Sequence, residues 1–193
     1  MSKGVGSLQF NKDGISKIPD GWIKEKVVNV VSRIPAGELY DQETAEPAGS
    51  VPILDQGQSG IIGFHNNEPS VFASLDKPVI VFANHTCNQR IINYPFSAIQ
   101  NVLSFEPNKK NYRNIYWLHY ATDDLVQFNG YKGHWPEFMA KTVLLPPKDL
   151  CDEFGGIVSE IHKQIFYLST QNQKLAQARD LLLPRLMSGA IEV

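Results

Sequence analysis

The sequence FGGIVSEIHKQIFYLSTQNQKLAQARDLL (154–182) decides the fold, because apolar residues recur in it every seven positions. This spacing places five residues in one column of a heptad repeat: Phe154, Ile161, Leu168, Leu175 and Leu182. Ile157 and Ala178 occupy the companion column, three positions further on. Such a narrow apolar seam is typical of a helix that packs against a second helix. We therefore predict one helix from Asp149 to Leu183, about 50 Å long at 1.5 Å per residue.

Five residues affect how this helix begins, ends and pairs. Gly155 and Gly156 each cost about 1 kcal/mol relative to alanine, so we expect the helix to break or start there. Pro184 should end or kink it. Gln164 and Gln171 stand in the companion column, where polar side chains lower stability but fix the register of two helices.

The sequence before this helix predicts strands. Short apolar runs separated by Gly, Pro and Asn are VPIL (51–54), IIGF (61–64), SVFAS (70–74), PVIVFA (78–83), NVLSF (101–105) and KTVLLP (141–146). The spacing of apolar residues over 112–128 predicts one helix within this strand-rich region. The fold class is therefore α+β, with a flexible tail (1–17), a strand-rich domain (18–147) and a long C-terminal helical segment (148–193).

Composition excludes several classes of protein. With 193 residues, 42% of them hydrophobic, the chain fits one globular domain with an appendage. Neither a membrane span nor a signal peptide is visible, and Cys87 and Cys151 show no disulfide or zinc spacing, so we expect a cytoplasmic protein. A net charge of −2 argues against a non-specific nucleic-acid coat, although 77–148 holds eight basic and four acidic residues.

Enzyme signatures are absent from the sequence. GxxxxGK[ST], GxGxxG, GxSxG and HExxH do not occur, so we expect no catalytic residue, no metal site and no cofactor. His85 and Cys87 share a strand face without a third orienting group, which makes a nucleophile–base pair improbable there. The run from Asn93 to Phe96 is similar to the base-holding loop of adenine methyltransferases, but it lacks that loop's first proline.

Polar loops are the more informative feature. Amides, hydroxyls and cations cluster at 55–60, 84–90, 109–113 and 131–135, and these groups read base edges or phosphates in DNA-binding proteins. Solvated surface loops of other proteins have a similar composition. From the residues alone, both interpretations stay open.

Four stretches of the chain resemble the specificity subunit of type I restriction-modification systems. They are IPDGWIKEKVVNVV (18–31), VPILDQGQSGIIGF (51–64), PVIVFANHTCNQRIINYPFSAIQNVLSF (78–105) and LAQARDLLLPRLMSGAIEV (175–193). Members of this family usually carry two target recognition domains and two long helices, whereas this sequence has one of each. It therefore resembles a half-length subunit that pairs with a second copy through the helix. It departs from the family at 148–156, where KDLCDEFGG replaces a Gln-rich helix start.

The resemblance implies that this chain binds DNA and partner proteins and catalyses no reaction itself. The subunit would be a DNA-binding specificity subunit that directs a type I adenine-N6 methyltransferase, and the restriction complex, to a bipartite site. Its partners would be double-stranded DNA, the methyltransferase subunit, the restriction subunit and a second copy in a homodimer.

The resemblance also assigns residues to these contacts. The predicted phosphate contacts are Lys109, Lys110, Arg113 and Lys132. The predicted base contacts are Gln56, Gln58, His85, Arg90 and His134, with Ser59 in the same DNA-facing loop as Gln56 and Gln58. The predicted dimer contacts are Ile157, Ile161, Leu168, Leu175 and Leu182. Two alternatives stay open: a fragment of a DNA adenine methyltransferase, and an interaction protein whose helix docks a partner unrelated to DNA.

Overall fold

A computed structural model describes residues 18–57, 60–111, 113–130 and 132–189, and the backbone of 10–11 and 14–15. The chain divides into two compact units, Met1–Gly155 and Gly156–Val193, which we call the head and the stalk. The head is rich in strands, and the last helix of the chain runs from Lys148 to Met187. The predicted α+β class, with a strand-rich part followed by a long C-terminal helix, is confirmed. No described helix is both long enough and apolar enough to cross a membrane.

The strands of the head are, in chain order, β1 (Phe10–Asn11), β2 (Gly14–Ile15), β3 (Ile23–Lys26), β4 (Val31–Arg33), β5 (Leu39–Tyr40), β6 (Val51–Leu54), β7 (Ile61–His65), β8 (Val79–Ala83), β9 (Gln89–Ile92), β10 (Ser97–Ile99), β11 (Val102–Pro107) and β12 (Thr142–Leu145). A 3₁₀ turn covers Val27–Asn29. The α-helices are α1 (Ile115–Thr122), α2 (Trp135–Ala140) and α3 (Lys148–Met187).

The longer strands form two four-stranded sheets. One has the order β5-β10-β6-β7, with β10 parallel to both of its neighbours, and the other is antiparallel with the order β4-β11-β8-β9. Two-stranded pairs join β1 to β2 and β3 to β12. The predicted flexible tail otherwise lies outside the described residues.

Strand β8 is buried on both faces and lies in both cores of the head. Ile80 and Phe82 pack in one cluster with residues of α1 and α2, including Phe138. Val79 and Val81, which alternation directs to the opposite face, pack in the other cluster beside the β5-β10-β6-β7 sheet. The head therefore has three layers, with the antiparallel sheet between the helices and the mixed sheet.

The start of α3 shows why the glycine pair does not break it. The helix begins directly after Pro147, whose carbonyl accepts a bond of 3.2 Å from the Cys151 N–H. Gly155 is buried, and a Cβ on it would lie 2.0 Å from Cγ of Asn114, so only glycine fits there. The prediction of a break at Gly155-Gly156 was wrong, because packing within the head outweighs the low helix propensity. Pro184 does not end the helix either, since α3 continues to Met187.

Other elements differ from the sequence-based prediction. The helix predicted over 112–128 covers only α1, whose first turn is capped by Asn114 Oδ1 accepting from the Tyr116 N–H at 2.9 Å. SVFAS (70–74) is not a strand and forms a single bridge, between Val71 and Phe96. β1 to β5, β9, β10 and α2 were not predicted; α2 tolerates Pro136 because the second position of a helix needs no N–H partner.

Candidate nucleic-acid interface

Two loops from different sheets are hydrogen-bonded to each other at one end of the head. Gln56 follows β6, and His85 and Thr86 follow β8. Oε1 of Gln56 accepts a bond of 2.8 Å from the His85 backbone N–H, and Oγ1 of Thr86 donates to the Gln56 backbone carbonyl at 2.8 Å. We call these two contacts the clasp. The clasp uses one of the two acceptor lone pairs of the Gln56 side-chain oxygen, and Nε2 is the donor group of this side chain for any contact with a base.

Arg90, a predicted base contact, supports the start of the loop that follows β6. Its Nη2 donates a bond of 2.7 Å to the backbone carbonyl of Asp55. Gly60 has φ +75°, and a Cβ there would lie 1.5 Å from Nη1 of Arg90, so glycine is needed for both reasons. Burial lowers the pKa of Arg90, and the nearby Tyr94 and Asp55 oppose that shift. The half-buried guanidinium is therefore engaged with its own loop, and the structure gives Arg90 a positioning role.

His134, another predicted base contact, is fully buried. Its backbone N–H donates to the Asn84 carbonyl at 2.9 Å, and its Nδ1 lies 3.1 Å from the same oxygen. Because a carbonyl accepts only, Nδ1 must carry the ring proton. Asn84 Oδ1 also accepts from the Trp135 N–H at 2.8 Å. His134 thus anchors the loop before α2 to the end of β8, and it does not reach solvent.

A cleft of about 640 Å³ lies beside the clasp, and we call it the main cleft. Its described lining residues come from three loops and from β9: Gln56, Gly57, Thr86, Cys87, Asn88, Gln89, Asp123, Asp124, Val126, Gln127 and Phe128. A second groove of about 570 Å³ shares three of the described lining residues with it, Gln56, Gly57 and Thr86. The clasp therefore forms the ridge between two depressions.

Backbone strain is concentrated around the main cleft. Cys87 and Asp124 both line it and have φ values of 61° and 60°, a region that non-glycine residues rarely adopt. Burial, and then the neighbouring Asp124 charge, raise the pKa of Asp123. The floor is fixed by buried Gln89, whose Nε2 donates to the His119 carbonyl at 2.9 Å. Strained backbone held by a rigid floor is a feature of binding sites.

The predicted phosphate contacts do not gather in one place. Lys109 and Lys110 are exposed after the end of β11 that pairs with Val31, whereas the clasp lies near its other end, where Val102 pairs with Ala83. At about 3.4 Å per residue, the two ends of β11 are roughly 17 Å apart. These lysines therefore flank the head at a distance from the main cleft.

Lys132 and Arg113 have different surroundings. Lys132 is exposed and pairs with Glu137, with Nζ 3.7 Å from Oε2. Burial, and then the Glu137 charge, raise the pKa of the Cys87 thiol in the main cleft, and the Lys132 charge opposes that shift. Arg113 is half-buried, and its Nε donates to the Pro146 carbonyl at 3.0 Å, which makes it a support for the start of α3.

Gln58 and Ser59 lie outside the described residues. The structure brings together Gln56 and His85, and it adds residues that the sequence did not single out: Asp123, Asp124, Gln127 and Phe128. They were missed because all four lie within the helix predicted over 112–128. The consecutive carboxylates followed by a glycine at 130 were the available signal that the helix ends early.

A buried contact between His65 and Ser97 differs from the serine–histidine pairs of enzymes. Nε2 of His65 lies 2.9 Å from Oγ of Ser97, and both residues are buried. Nδ1 of His65 accepts from the Asn67 N–H, so Nε2 carries the proton and donates to Ser97. Oγ of Ser97 also accepts from the Ser70 N–H at 3.0 Å. A serine hydroxyl that accepts a hydrogen bond from its histidine is arranged to fix loops, not to act as an activated nucleophile.

On α3, the five predicted pairing residues are all exposed. Their exposure ranges from 48% for Leu182 to 67% for Leu175, with Ile157, Ile161 and Leu168 between these values. Exposed apolar residues of this number on one helix are unusual for a monomeric surface. These five side chains are thus available to a partner helix.

Comparison with known proteins supports the resemblance stated above. No family model matches the chain. The sequence is 25% identical to the specificity subunit of the Escherichia coli type I restriction enzyme EcoR124I/EcoR124II over 147 residues, which cover 68% of this chain and 36% of that protein. The resemblance to type I specificity subunits is thereby confirmed, and the chain spans about a third of this curated relative.

Solved structures share the fold. The S subunit of a type I restriction-modification system from M. genitalium matches with a TM-score of 0.69 and 14% identity, over 94% of this chain and 48% of that one. A chain from a solved type I restriction-modification assembly matches with a TM-score of 0.51 and 14% identity, over 89% of this chain and 46% of that one. The chain spans about half the length of these subunits.

Proposed function

We propose that this chain recognises one half of a DNA target and pairs with a second copy through α3. The pair would direct a type I adenine-N6 methyltransferase subunit, and a restriction subunit, to a bipartite site. One observation carries the proposal: a head with the fold of type I S subunits is joined to a 40-residue helix whose apolar column is exposed. The chain itself would supply contacts and no chemistry, while the methyltransferase partner flips and methylates the adenine.

The charges along α3 support an antiparallel pair. Residues 148–163 contain two lysines and four carboxylates, whereas residues 164–187 contain three basic residues and one aspartate. The first part therefore has a net charge of −2 and the second a net charge of +2. An antiparallel partner places unlike charges side by side, and a parallel partner would place like charges together.

The apolar column supplies enough free energy for pairing. Burying five such side chains contributes roughly 8 to 15 kcal/mol gross per copy, before the entropy of association is subtracted. Leu168 lies near the middle of α3, so we place the centre of the antiparallel pair there. Gln164 and Gln171, on either side of it, would fix the register.

A two-fold pair predicts the form of the target. α3 is about 60 Å long at 1.5 Å per residue, which separates two heads by at least one turn of DNA, about 34 to 36 Å. Two identical heads related by a two-fold axis read two identical half-sites in inverted orientation. We therefore propose an inverted repeat with an unread spacer.

Within the head, we propose that the surface around the clasp faces DNA. Gln56 and His85 lie there, and we keep Gln58 and Ser59, which lie outside the described residues, as proposed DNA contacts. Lys132, beside the main cleft, and Lys109 with Lys110, at the far end of β11, would contact phosphates. Arg90, Arg113 and His134 would act through the loops and the helix start that they support.

Mapping methylated adenines tests the whole proposal. Genomic DNA would be compared from cells that express the methyltransferase subunit with and without this chain. The expected result is a new methylated motif that is an inverted repeat and that appears only with this chain. An unchanged methylation map, with both proteins expressed and soluble, would contradict the proposal.

Salt dependence of DNA binding separates the alternatives. With the methyltransferase partner present, about six neutralised phosphates predict a slope near −5 for log affinity against log salt. Binding that is undetectable or independent of salt would favour an interaction protein unrelated to DNA. Binding of S-adenosylmethionine by this chain alone would favour a methyltransferase fragment.

A further inference from the structure

The main cleft has a lining that does not suit a phosphate. None of its described lining residues is lysine or arginine, and two of them, Asp123 and Asp124, are carboxylates. The others that offer hydrogen bonds include the amides of Gln56, Asn88 and Gln127. Carboxylates repel the DNA backbone, whereas amides pair with the edges of bases. The chemistry of the lining therefore selects base edges.

The rim of the cleft presents an exposed aromatic ring between two amides. Phe128 is 60% exposed, and Gln127 and Asn129 on either side of it are also exposed. The backbone N–H of Asn129 donates to Nε2 of buried His134 at 3.5 Å, and His134 is in turn bonded to the Asn84 carbonyl. A ring held in water by an anchored loop is ready to contact an apolar group of a ligand, since no rearrangement is needed to expose it.

Guanine is disfavoured at this site. The commonest guanine contact is a bidentate bond from arginine or lysine to O6 and N7. Arg90, on a strand that contributes to the lining, is half-buried and donates to the Asp55 carbonyl, so it is not available for that contact. Glutamine and asparagine instead pair with N6 and N7 of adenine, and phenylalanine contacts the thymine methyl group.

We propose that the rim of the main cleft reads an A·T pair in the major groove. Phe128 contacts the thymine methyl group, and Gln127 forms bonds with N6 and N7 of the adenine of the same pair or its neighbour. This inference rests on the proposed function, because it needs the head to bind DNA. It adds the base pair recognised and the two residues that recognise it.

The test uses the complete complex of this chain with its methyltransferase subunit, on DNA containing the motif found by methylation mapping. Each thymine of a half-site is replaced in turn by uracil, which removes only the methyl group, and each adenine by 7-deazaadenine, which removes only N7. Affinity is measured for the wild-type chain, Phe128→Ala and Gln127→Ala. Phe72→Ala is the control, since Phe72 is 66% exposed and does not line the cleft.

The wild-type complex should lose roughly fourfold in affinity at one thymine, the effect of one buried methyl group. Phe128→Ala should lose a similar amount on normal DNA and nothing more when that thymine becomes uracil. Gln127→Ala should lose about tenfold and become insensitive to 7-deazaadenine at one adenine. Phe72→Ala should match the wild type throughout.

Two outcomes overturn this inference while leaving the proposed function intact. One is specific DNA binding that responds to no uracil substitution. The other is Phe128→Ala with wild-type affinity and unchanged uracil sensitivity. A wild-type complex that binds no specific DNA contradicts the proposed function itself. Since Phe128 is exposed, the variant should unfold at the wild-type temperature, which a thermal melt checks.

Discussion

The side-chain oxygen of Gln56 accepts a hydrogen bond of 2.8 Å from the backbone N–H of His85. Gln56 follows a strand of the mixed sheet, and His85 follows a strand of the antiparallel sheet. The bond therefore helps to join the ends of the two sheets, together with the bonds from Thr86 to the Gln56 carbonyl and from Arg90 to the Asp55 carbonyl. A residue that looks like a solvent-facing base reader in the sequence has a structural partner for half of its amide group.

Removing this bond should loosen the clasp without unfolding the head. Gln56→Ala leaves the His85 N–H without its acceptor, and we expect a loss of about 1 to 2 kcal/mol in the free energy of unfolding. Hydrogen exchange of the His85 amide should become faster. Gln56→Glu is the matched control, because a carboxylate oxygen can still accept this bond. Equal exchange rates in Gln56→Ala and the wild type would show that the bond does not hold the loop.

The two adjacent glycines of α3 should respond in opposite directions to alanine. Gly155→Ala forces Asn114 away and disturbs the cap of α1, so we expect a loss of about 1 kcal/mol or more. Gly156 has open space around its Cα, and Gly156→Ala should gain up to about 1 kcal/mol from helix propensity. Chemical denaturation of the two variants provides the measurement. Stabilisation by both substitutions would contradict the packing of Gly155 against Asn114.

Charge placed in the apolar column should separate the proposed pair. Leu168→Arg introduces like charges at the centre of an antiparallel seam, and we expect a monomer at micromolar concentration. Gln173→Arg adds the same charge outside the two columns and should leave the pair intact. Analytical ultracentrifugation distinguishes these results. A wild-type chain that is already monomeric would contradict pairing through α3.

Lys110 and Lys132, which lie apart on the head, should each contribute to DNA affinity. The salt dependence of binding should show that contribution. Replacing one phosphate-contacting lysine removes about one released counterion, so Lys132→Gln or Lys110→Gln should make the log–log salt slope less steep by about 0.9. The affinity loss should be similar for cognate and unrelated DNA. Lys77→Gln, in an exposed turn, is the comparison variant. A slope unchanged by both substitutions would remove Lys110 and Lys132 from the proposed contacts.

The parts of the fold that the sequence predicted well are those with strong local signals. VPIL (51–54) is β6, and the runs at 61–64, 78–83, 101–105 and 141–146 correspond to strands shifted by a residue or two. The heptad spacing correctly predicted a single long helix. β3, β4, β5, β9 and β10 were missed because they lack the apolar runs found at β6 and β12, and their pairing is set by contacts with distant strands. SVFAS (70–74) has the composition of a strand but finds only one backbone partner.

The candidate site was harder to predict, because its residues are defined by three-dimensional contacts. Polar composition located the loops at 55–60 and 84–90, but it could not show that Arg90 is bonded to Asp55 or that His134 is buried. Phe128 has no motif of its own, and its exposure depends on α1 ending at Thr122. Residue type gave the correct loops, and packing decided which side chains remain available to a ligand.

Strand β8 has no face in solvent, yet the clasp begins immediately after its last residue, Ala83. Changes inside β8 must preserve volume on two sides at once, whereas Thr86, an exposed residue of the loop beyond it, belongs to neither core. Under the proposed function, a lineage could therefore acquire a new DNA target by exchanging loop residues while its interior stays the same. Substitutions that change the DNA target and substitutions that preserve the core would then fall in neighbouring but separate stretches of the chain.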